Sequence, residues 1–421
     1  MTRDQDKYAW VILSICFLTL AIASGTTGSY GVFMKPMIKE FGWSRAEASL
    51  PPTLALIFIG LSQLPAGRLV DLYGVRVIMC LGLLVWGLSI LSLQIAGELW
   101  QFVLLVGLVG GLGAGATGLV PNAIIVSQWF RSKRGLALGI ASAGISVGSI
   151  ALTPILAGIV SMRGWRTGYL LLGGLMLLIA LPLIAFFLHD SPDHASQAKI
   201  PAPGFRKVIG AGLRLPSVWL IGFTHFTCGL SDFFVINHLI IYAQGIGFST
   251  LTAAWALSLV SFSGILGTIL LGGLSDRTSP KVLLSIGYFW RALGLFLLGF
   301  GVEGELSLFL FGAMVGFSSL STIPLITSLT RLLFGLRLMG TVYGLFSMLH
   351  HMGAGTGTFL GGFIFDLCGS YSNAFLLISI QLALAGIASL FIREVAFDWA
   401  DEKGRFMPSL NAFPSTQSAN R

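Results

Sequence analysis

Long apolar segments follow one another along the whole chain, and shorter polar connections separate them. Most segments approach or exceed the length of about 20 residues that an α-helix needs to cross the hydrocarbon core of a bilayer. The pattern predicts an all-α membrane protein with twelve spans at 9–34, 47–67, 77–97, 101–128, 134–160, 167–188, 216–243, 250–274, 281–301, 305–330, 338–365 and 372–393. The first span is too long for a removable signal peptide and lacks a small-residue cleavage site.

The amino-acid composition also supports assignment to the membrane proteins. The 421 residues are 55% hydrophobic and 10% charged, whereas soluble domains are about 25% charged. Glycine contributes 54 residues, well above its usual share of about 7%, and membrane helices favour glycine. The sequence therefore predicts a lipid bilayer as the surroundings of most of the chain.

The net charge of +8 is distributed unequally between the two sides of the predicted bundle. Apart from Arg291, all but five of the 25 Lys and Arg fall in the tails and even-numbered connections; the five are Lys35, Lys39, Arg45, Arg163 and Arg166. Because cytoplasmic loops carry the excess of positive charge, we predict a multi-pass protein of the inner (cytoplasmic) membrane with both termini in the cytoplasm. The basicity then indicates topology, and no nucleic-acid partner is expected.

The cysteines give no sign of a shared site. Cys16, Cys80, Cys228 and Cys368 lie in different predicted spans and form no C-x-x-C pair. We therefore expect them to pack in the core and predict neither a disulfide nor a metal site. No cofactor motif is present, and we expect a monomer to function.

The chain divides into two similar halves. The polar stretch 189–215 is predicted to be a cytoplasmic linker between a six-helix bundle at 1–188 and another at 216–393, with a cytoplasmic tail at 394–421. At a constant offset of 205 residues, Gly67, Asp71, Gly111, Gly135, Gly139 and Gly148 match Gly272, Asp276, Gly316, Gly340, Gly344 and Gly353. Repeats of this kind indicate duplicated halves with a binding site between them near the bilayer midplane.

Several motifs carry a family resemblance. "GRLVDLYGVR" at 67–76 resembles the loop between helices 2 and 3 of the major facilitator superfamily, and "GGLSDR" at 272–277 resembles its second-half copy. "WFRSKRGLALGIASAGISVG" at 129–148 is similar to the helix-5 signature of the monocarboxylate-transporter-like branch. The segments 29–49 and 361–371 resemble the same branch, including its oxalate/formate-like members, whereas the helix-1 signature survives only as "DKYAWV" at 6–11. The resemblance implies two six-helix bundles related by a pseudo-two-fold axis.

The resemblance also implies a gate that stabilises an outward-open state. Its charged residues in this chain are Arg68, Asp71, Arg76, Arg131, Arg134, Asp276 and Arg277. The alternative is that these are solvated loop charges, because exposed ion pairs contribute little to stability.

Two ionisable residues stand deep inside predicted spans. Asp232 lies in "HFTCGLSDFFVINH" of the seventh span, and Arg291 lies in "SIGYFWRALG" of the ninth. Such a group costs about 2.5–3.5 kcal/mol on insertion scales, so its default interpretation is functional. We predict that Asp232 couples transport to protons, with His225 two turns earlier on the same face. A neutral structural carboxyl is the alternative for Asp232, and the role of Arg291 and its pairing with Asp232 remain open.

Adjacent histidines, His350 and His351, occupy the middle of the eleventh span. Oxalate/formate-like relatives carry a substrate-binding lysine at about the position of His350, counted from Tyr343. The branch's arginine in helix 8 is replaced by Thr268 here, and the lysine of mammalian lactate carriers falls near Gly28. The resemblance thus implies imidazole rather than a fixed cation at the site, since imidazole can donate neutral hydrogen bonds or become charged. Buried packing histidines are the alternative.

Softer candidates for substrate binding carry uncharged polar groups. They are Asn122 after Pro121, Thr268 in the eighth span, Asn237 in the seventh, Thr26, Thr27 and Tyr30 in the first, and Ser318, Ser319, Ser321 and Thr322 before Pro324. The alternative is that these groups bond to the backbone of their own helices.

We favour a secondary transporter that carries a small organic solute, preferably a carboxylate, by alternating access and proton symport. No G-x-x-x-x-G-K-[ST] loop supports ATP-driven transport, and no catalytic or metal constellation indicates an enzyme. The competing transporter class exports drugs, siderophores or other amphiphiles, but its antiporter motif requires Gly-Pro where Gly148 precedes Ser149. A sensor, the third class, would need a signalling domain larger than the stretch 394–421.

Overall fold

The structure is a computed structural model that describes residues 3–43, 45–130, 133–190, 205–300, 304–336, 338–394, 397–400 and 405–408. Most of the predicted linker and most of the predicted tail therefore lie outside the described residues. In the described part of the linker, a short helix covers Phe205–Gly212. Two antiparallel strands, Phe397–Ala400 and Arg405–Pro408, follow the last span.

The first half of the chain forms spans 1 to 6. Span 1 consists of helices Arg3–Gly28 and Tyr30–Phe41, span 2 is Arg45–Tyr73, span 3 is Val75–Ser92 and span 5 is Arg134–Arg163. Span 4 is assembled from Leu99–Phe102, a π-helical segment Val103–Gly110, Gly111–Thr117 and Leu119–Trp129. Span 6 likewise contains a π-helical segment, Leu175–Ala180, between Trp165–Gly174 and Leu181–Phe187.

The second half forms spans 7 to 12. Span 7 is Pro216–Gly245, span 8 is Thr250–Leu274, span 9 is Pro280–Phe300, span 11 is Met339–Cys368 and span 12 is Ser372–Leu390. Span 10 is divided into Glu305–Ser319 and Thr322–Phe334. Among the described residues, 11 helices are long and apolar enough to cross a membrane. Span 11, with 30 residues, is long enough to be the twelfth but is less apolar because of its histidines and glycines.

The motif charges of span 2 belong to its helix. We predicted that this span ends at 67, yet the helix continues through Arg68 and Asp71 to Tyr73. Nothing between Gly67 and Tyr73 interrupts helical geometry, and the helix stops only where Gly74 adopts φ +85°, a conformation that side chains with a Cβ rarely adopt. The two charged residues are therefore held on a rigid helix end.

Spans 4 and 10 are both interrupted, at Gly118 and at residues 320–321, and in each a proline, Pro121 or Pro324, is the third residue of the helix that follows. Proline has no N–H to donate and its ring clashes with the preceding turn, so the helix before it loses regular hydrogen bonds. At the first break, the Asn122 amide donates to the carbonyls of Thr117 (2.8 Å) and Gly118 (2.7 Å). At the second break, the Ser318 carbonyl is available to a neighbouring helix.

Two pairs of spans make most of the contact between the halves, span 2 with span 11 and span 5 with span 8. A Cβ on Gly67 would lie 1.9 Å from the Gly340 carbonyl oxygen, and a Cβ on Gly135 would lie 2.0 Å from that of Gly272. Backbones can approach this closely only where both helices carry glycine. We call the side of the membrane that holds these four glycines the motif side; there the halves are in direct contact.

We expect Gly67→Ala to destabilise this contact, because the added methyl group would force two backbones apart. Overpacking of this kind costs about 1–3 kcal/mol, which thermal unfolding in detergent would detect as a lower Tm. Gly355→Ala in span 11 is the matched control, since a Cβ there meets nothing within 4 Å. Equal Tm values for the two variants would show that the glycine contact does not hold the halves together.

Candidate functional site

A buried ion pair joins spans 7 and 9. Arg291 Nη1 lies 2.9 Å from Asp232 Oδ1, and the side chains are 0% and 11% exposed, respectively. Three further donors of Arg291 bond to Ser318 Oγ (3.2 Å), the Ser318 carbonyl (2.6 Å) and Ser231 Oγ (2.9 Å). A buried charge that is paired and hydrogen-bonded in this way is tolerated, whereas an unpaired one is costly.

The break in span 10 supplies part of this pocket. Because the helix is interrupted after Ser319, the carbonyl of Ser318 can accept from Arg291, and the Ser319 hydroxyl donates to Asp232 Oδ1. The Cys228 thiol, one turn before Asp232, donates to Oδ2 at 3.3 Å and lies 3.1 Å from Thr322 Oγ1. Asp232 is thus surrounded by spans 7, 9 and 10 and keeps one exposed edge.

The histidines lie beside this pocket. The His225 and His350 rings are 4.7 Å apart, and His350 also contacts Phe233 with a centroid distance of 6.5 Å. His225 is predicted to share a face with Asp232, but its ring points to span 11, where it packs against His350. Within the part of the chain that the structure describes, both ring nitrogens of His225 and Nδ1 of His350 are buried without a hydrogen-bond partner.

His351 points away from its neighbour. Its Nδ1 bonds to the Ser347 carbonyl at 2.9 Å, and its Cβ lies 2.8 Å from the position that a Cβ on Gly60 of span 2 would occupy. Adjacent residues of a helix point about 100° apart, so the structure directs His350 into the second half and His351 towards the contact between the halves.

Four of the other predicted substrate residues are not gathered around His350, whereas Ser318, Ser319 and Thr322 contact the pocket beside it. Asn122 caps the break in span 4, and the Tyr30 hydroxyl donates to the Ala48 carbonyl at 3.1 Å. Thr268 is fully buried where span 8 meets Gly139 of span 5. Asn237 is exposed and donates to the Phe233 carbonyl and to Thr358 Oγ1, each at 2.9 Å.

On the motif side, each half supplies an aspartate that caps a helix of the other half. Asp71 accepts from the backbone N–H of Gly340 (3.0 Å) and Thr341 (2.8 Å) and from the Thr341 hydroxyl (2.6 Å), at the start of span 11. Asp276 accepts from the N–H of Gly135 (2.7 Å) and Leu136 (3.1 Å), at the start of span 5. A carboxylate at a helix N-terminus is stabilised by the helix dipole and the free N–H groups.

The predicted gate arginines have different surroundings. Arg68 lies one turn before Asp71 in span 2, and Arg134 begins span 5 within electrostatic reach of Asp276. The Arg76 guanidinium donates to the Ala185 carbonyl in span 6, within the same half, and Arg277 is exposed. Arg131 lies outside the described residues.

Sequence reasoning did not single out Ser231, and it assigned Cys228 only to packing. Their spacing was a usable signal, since Cys228 is four residues before Asp232 and Ser231 is adjacent to it. The partnership of Asp232 with Arg291 had no such signal, because it depends on how two non-adjacent spans pack.

Comparison with known proteins agrees with this architecture. A family model described as the Major Facilitator Superfamily matches residues 16–284 and 221–408. The chain belongs to this superfamily, and the predicted fold of twelve helices in two six-helix bundles is confirmed.

Two relatives cover most of the chain. An uncharacterized MFS-type transporter of Bacillus subtilis, YcxA, is 27% identical over 395 residues, 92% of this chain and 95% of its own length. Monocarboxylate transporter 13 of Rattus norvegicus is 27% identical over 383 residues, 87% of this chain and 85% of its own. The chain is therefore an MFS-type, multi-pass membrane transporter related to monocarboxylate transporters, as its motifs predicted.

Among solved structures, a variant of the fucose:proton symporter FucP of E. coli superposes with a TM-score of 0.73. It covers 92% of this chain and 99% of its own, at 17% identity. The proton:xylose symporter XylE superposes with a TM-score of 0.70 at 16% identity. At this identity, the likeness concerns the fold.

Proposed function

We propose that the protein carries a small organic acid together with a proton across the cytoplasmic membrane by alternating access. The observation that carries the proposal is the Asp232–Arg291 pair, in which the acid keeps an 11% exposed edge while the base is wholly buried. Intramembrane charges of this kind mark substrate and proton pathways. The relationship to monocarboxylate transporters favours a carboxylate as the solute.

Charge balance provides the coupling. Protonation of Asp232 removes the negative charge that compensates Arg291, and leaving a buried charge uncompensated is unfavourable. A solute carboxylate that binds beside the pocket restores the balance, so the proton and the anion each favour the binding of the other. His350 lies next to the same pocket with Nδ1 unused, and a neutral imidazole can donate a hydrogen bond to a carboxylate.

The motif side is proposed to face the cytoplasm, because most Lys and Arg outside the spans lie on that side. In this orientation, the contacts of Asp71 and Asp276 close the cytoplasmic side. Alternating access then requires both caps to break while contacts form on the opposite side.

The test uses purified protein. A thermal-shift screen of monocarboxylates, with amphiphilic drugs as the comparison set, identifies a ligand, because a compound that binds only the folded state raises the Tm. Proteoliposomes then measure uptake of that ligand with an inwardly directed proton gradient, without one, and with a protonophore. We expect accumulation only with the gradient.

Asp232→Asn should abolish gradient-driven accumulation while retaining exchange of labelled for unlabelled solute, because its side chain carries no titratable proton. Glu40→Gln is the control, since Glu40 pairs with Arg166 at 2.6 Å near the surface and away from the pocket. Uptake that is the same with and without the proton gradient would refute symport. Stabilisation by amphiphiles alone would refute the proposed solute class and favour an exporter.

A further inference from the structure

One group of three metal-ligating side chains occurs in the described part of the chain. It consists of His225, Cys228 and His350, whose ligand atoms all lie within 4.8 Å of one another. The sequence carries no sign of this group, because His350 comes from span 11 and only the fold brings it to His225 and Cys228. From the sequence alone, Cys228 is therefore expected only to pack in the core. Neither His225 nor Cys228 has a direct role in the proposed transport step.

His225 carries the second observation. Its side chain is 1% exposed, and within the described residues neither ring nitrogen has a hydrogen-bond partner. Buried polar groups in folded proteins are nearly always satisfied. A neutral imidazole has one lone pair, which is the group that binds a metal ion. His350 Nδ1, on the facing ring, is also buried and unpartnered.

The backbone holds these groups together. His225 and Cys228 are three residues apart and hence on one face of span 7. A Cβ on Gly229 would lie 1.9 Å from the His350 carbonyl oxygen, and one on Gly353 would lie 2.0 Å from that of Phe226. This close packing of spans 7 and 11 fixes the position of the third ligand.

Two hydrogen-bond donors lie beside the sulfur of Cys228. Thr322 Oγ1 at 3.1 Å and Arg291 Nη1 at 3.7 Å can donate to its sulfur. The thiol proton leaves to solvent as the cation binds, which removes the 3.3 Å hydrogen bond from Cys228 Sγ to Asp232 Oδ2. A divalent ion then offsets the charges of thiolate and carboxylate, and Oδ2 becomes available as a fourth ligand.

We propose that His225, Cys228 and His350 bind one thiophilic divalent ion of the Zn²⁺ class, with Asp232 completing the set. Imidazole and thiolate ligands in tetrahedral geometry are the arrangement that Zn²⁺ prefers. Zn–N and Zn–S bonds of about 2.0–2.3 Å require the side chains to close around the ion by rotamer adjustment. The partly exposed His350 and Asp232 provide the route by which the ion enters. An ion held there occupies the groups proposed to bind solute and proton and therefore inhibits transport.

Cobalt is the probe that reports the thiolate directly. Purified full-length protein is treated with a chelator, washed and titrated with Co²⁺. We expect a near-ultraviolet absorption band from thiolate-to-cobalt charge transfer. Addition of Zn²⁺ should displace Co²⁺ and remove this band. Cys228→Ser should lose this band, whereas Cys16→Ser should keep it, since Cys16 is an equally buried cysteine in span 1.

The histidine ligand has its own matched control. His225→Gln removes a direct ligand and should weaken Zn²⁺ binding by more than the about tenfold that loss of an outer-shell partner costs, measured as a smaller Zn²⁺-dependent rise in Tm. His238→Gln, in the same span, should bind as the wild type does, because His238 is already bonded to Tyr371 and to the Thr358 carbonyl. Wild-type protein without the charge-transfer band, or a band that survives Cys228→Ser, would overturn the site. So would a Zn²⁺ effect on Tm that is the same in His225→Gln. None of these measurements depends on transport.

Discussion

Asp232→Ala is expected to lower the free energy of unfolding by about 3–5 kcal/mol, because it leaves the guanidinium of Arg291 buried without a counter-charge. Arginine cannot escape this cost by losing its proton, and its side chain is 0% exposed. Thermal unfolding of the purified variant in detergent measures the effect as a large decrease in Tm.

Removal of Arg291 instead of Asp232 is expected to lower the free energy of unfolding by a smaller amount. In Arg291→Met, Asp232 keeps its bonds to Ser319 and Cys228, has an exposed edge and can become neutral by binding a proton. The double variant Asp232→Ala/Arg291→Met should recover much of the stability lost by Asp232→Ala, because no charge remains buried. Additive losses in the double variant would show that the two groups do not interact energetically.

The same variants distinguish the coupling scheme from a structural ion pair. If a solute carboxylate replaces the charge of Asp232, the ligand should raise the Tm of Asp232→Ala more than that of the wild type. A purely structural pair predicts equal or smaller stabilisation by the ligand. Gradient-driven accumulation should be lost in both single variants.

Asp71→Asn combined with Asp276→Asn is expected to open the motif side. Each carboxylate accepts at least two N–H groups across the halves, and an amide oxygen carries little of the charge that a helix N-terminus stabilises. Loss of one such cap is worth about 1–2 kcal/mol. A change of about 1.4 kcal/mol alters the ratio of two states tenfold, so the double variant should shift this ratio by about 30-fold or more.

Distances between spin labels report this shift. Labels at Tyr73 and Thr278, exposed positions in opposite halves next to the two aspartates, should move to longer separations in the double variant. Asp71→Asn alone should have the larger single effect, because Asp71 also accepts from the Thr341 hydroxyl. Asp190→Asn is the matched control, since Asp190 caps Val75 at 3.2 Å within one half. An unchanged distance distribution in the double variant would exclude the caps as a gate.

Periodicity and charge predicted the features that depend on local sequence. The length of the apolar segments predicts the spans, and the 205-residue repeat predicts the pairing of Asp71 with Asp276 as equivalent positions. The cost of an intramembrane charge identified Asp232 and Arg291. Their contact could not be predicted, because it depends on the break before Pro324 and on the packing of spans 7, 9 and 10.

Helix periodicity predicts which residues share a face of a helix. It does not predict whether that face points into a cavity or packs against a neighbouring helix. His225 has the spacing that places it near the face of Asp232, yet its ring lies against His350 because Gly229 and Gly353 bring span 11 close. Thr268 stands where relatives place an arginine, but the glycine contact between spans 5 and 8 encloses it. In both cases the deciding residues are glycines at the contact between two helices.

The low apolarity of span 11 has a consequence for biosynthesis. Among the described helices of full spanning length, this one falls outside the 11 whose length and apolar composition are sufficient for a membrane crossing. The translocon selects segments by their hydrophobicity. A helix with two histidines at its centre is therefore inserted into the bilayer inefficiently in the absence of other helices. Span 11 packs against spans 2 and 7, both of which are synthesised earlier. Its integration therefore depends on these two helices already standing in the bilayer, and mutations that weaken them should leave the nascent chain with inverted or missing C-terminal topology.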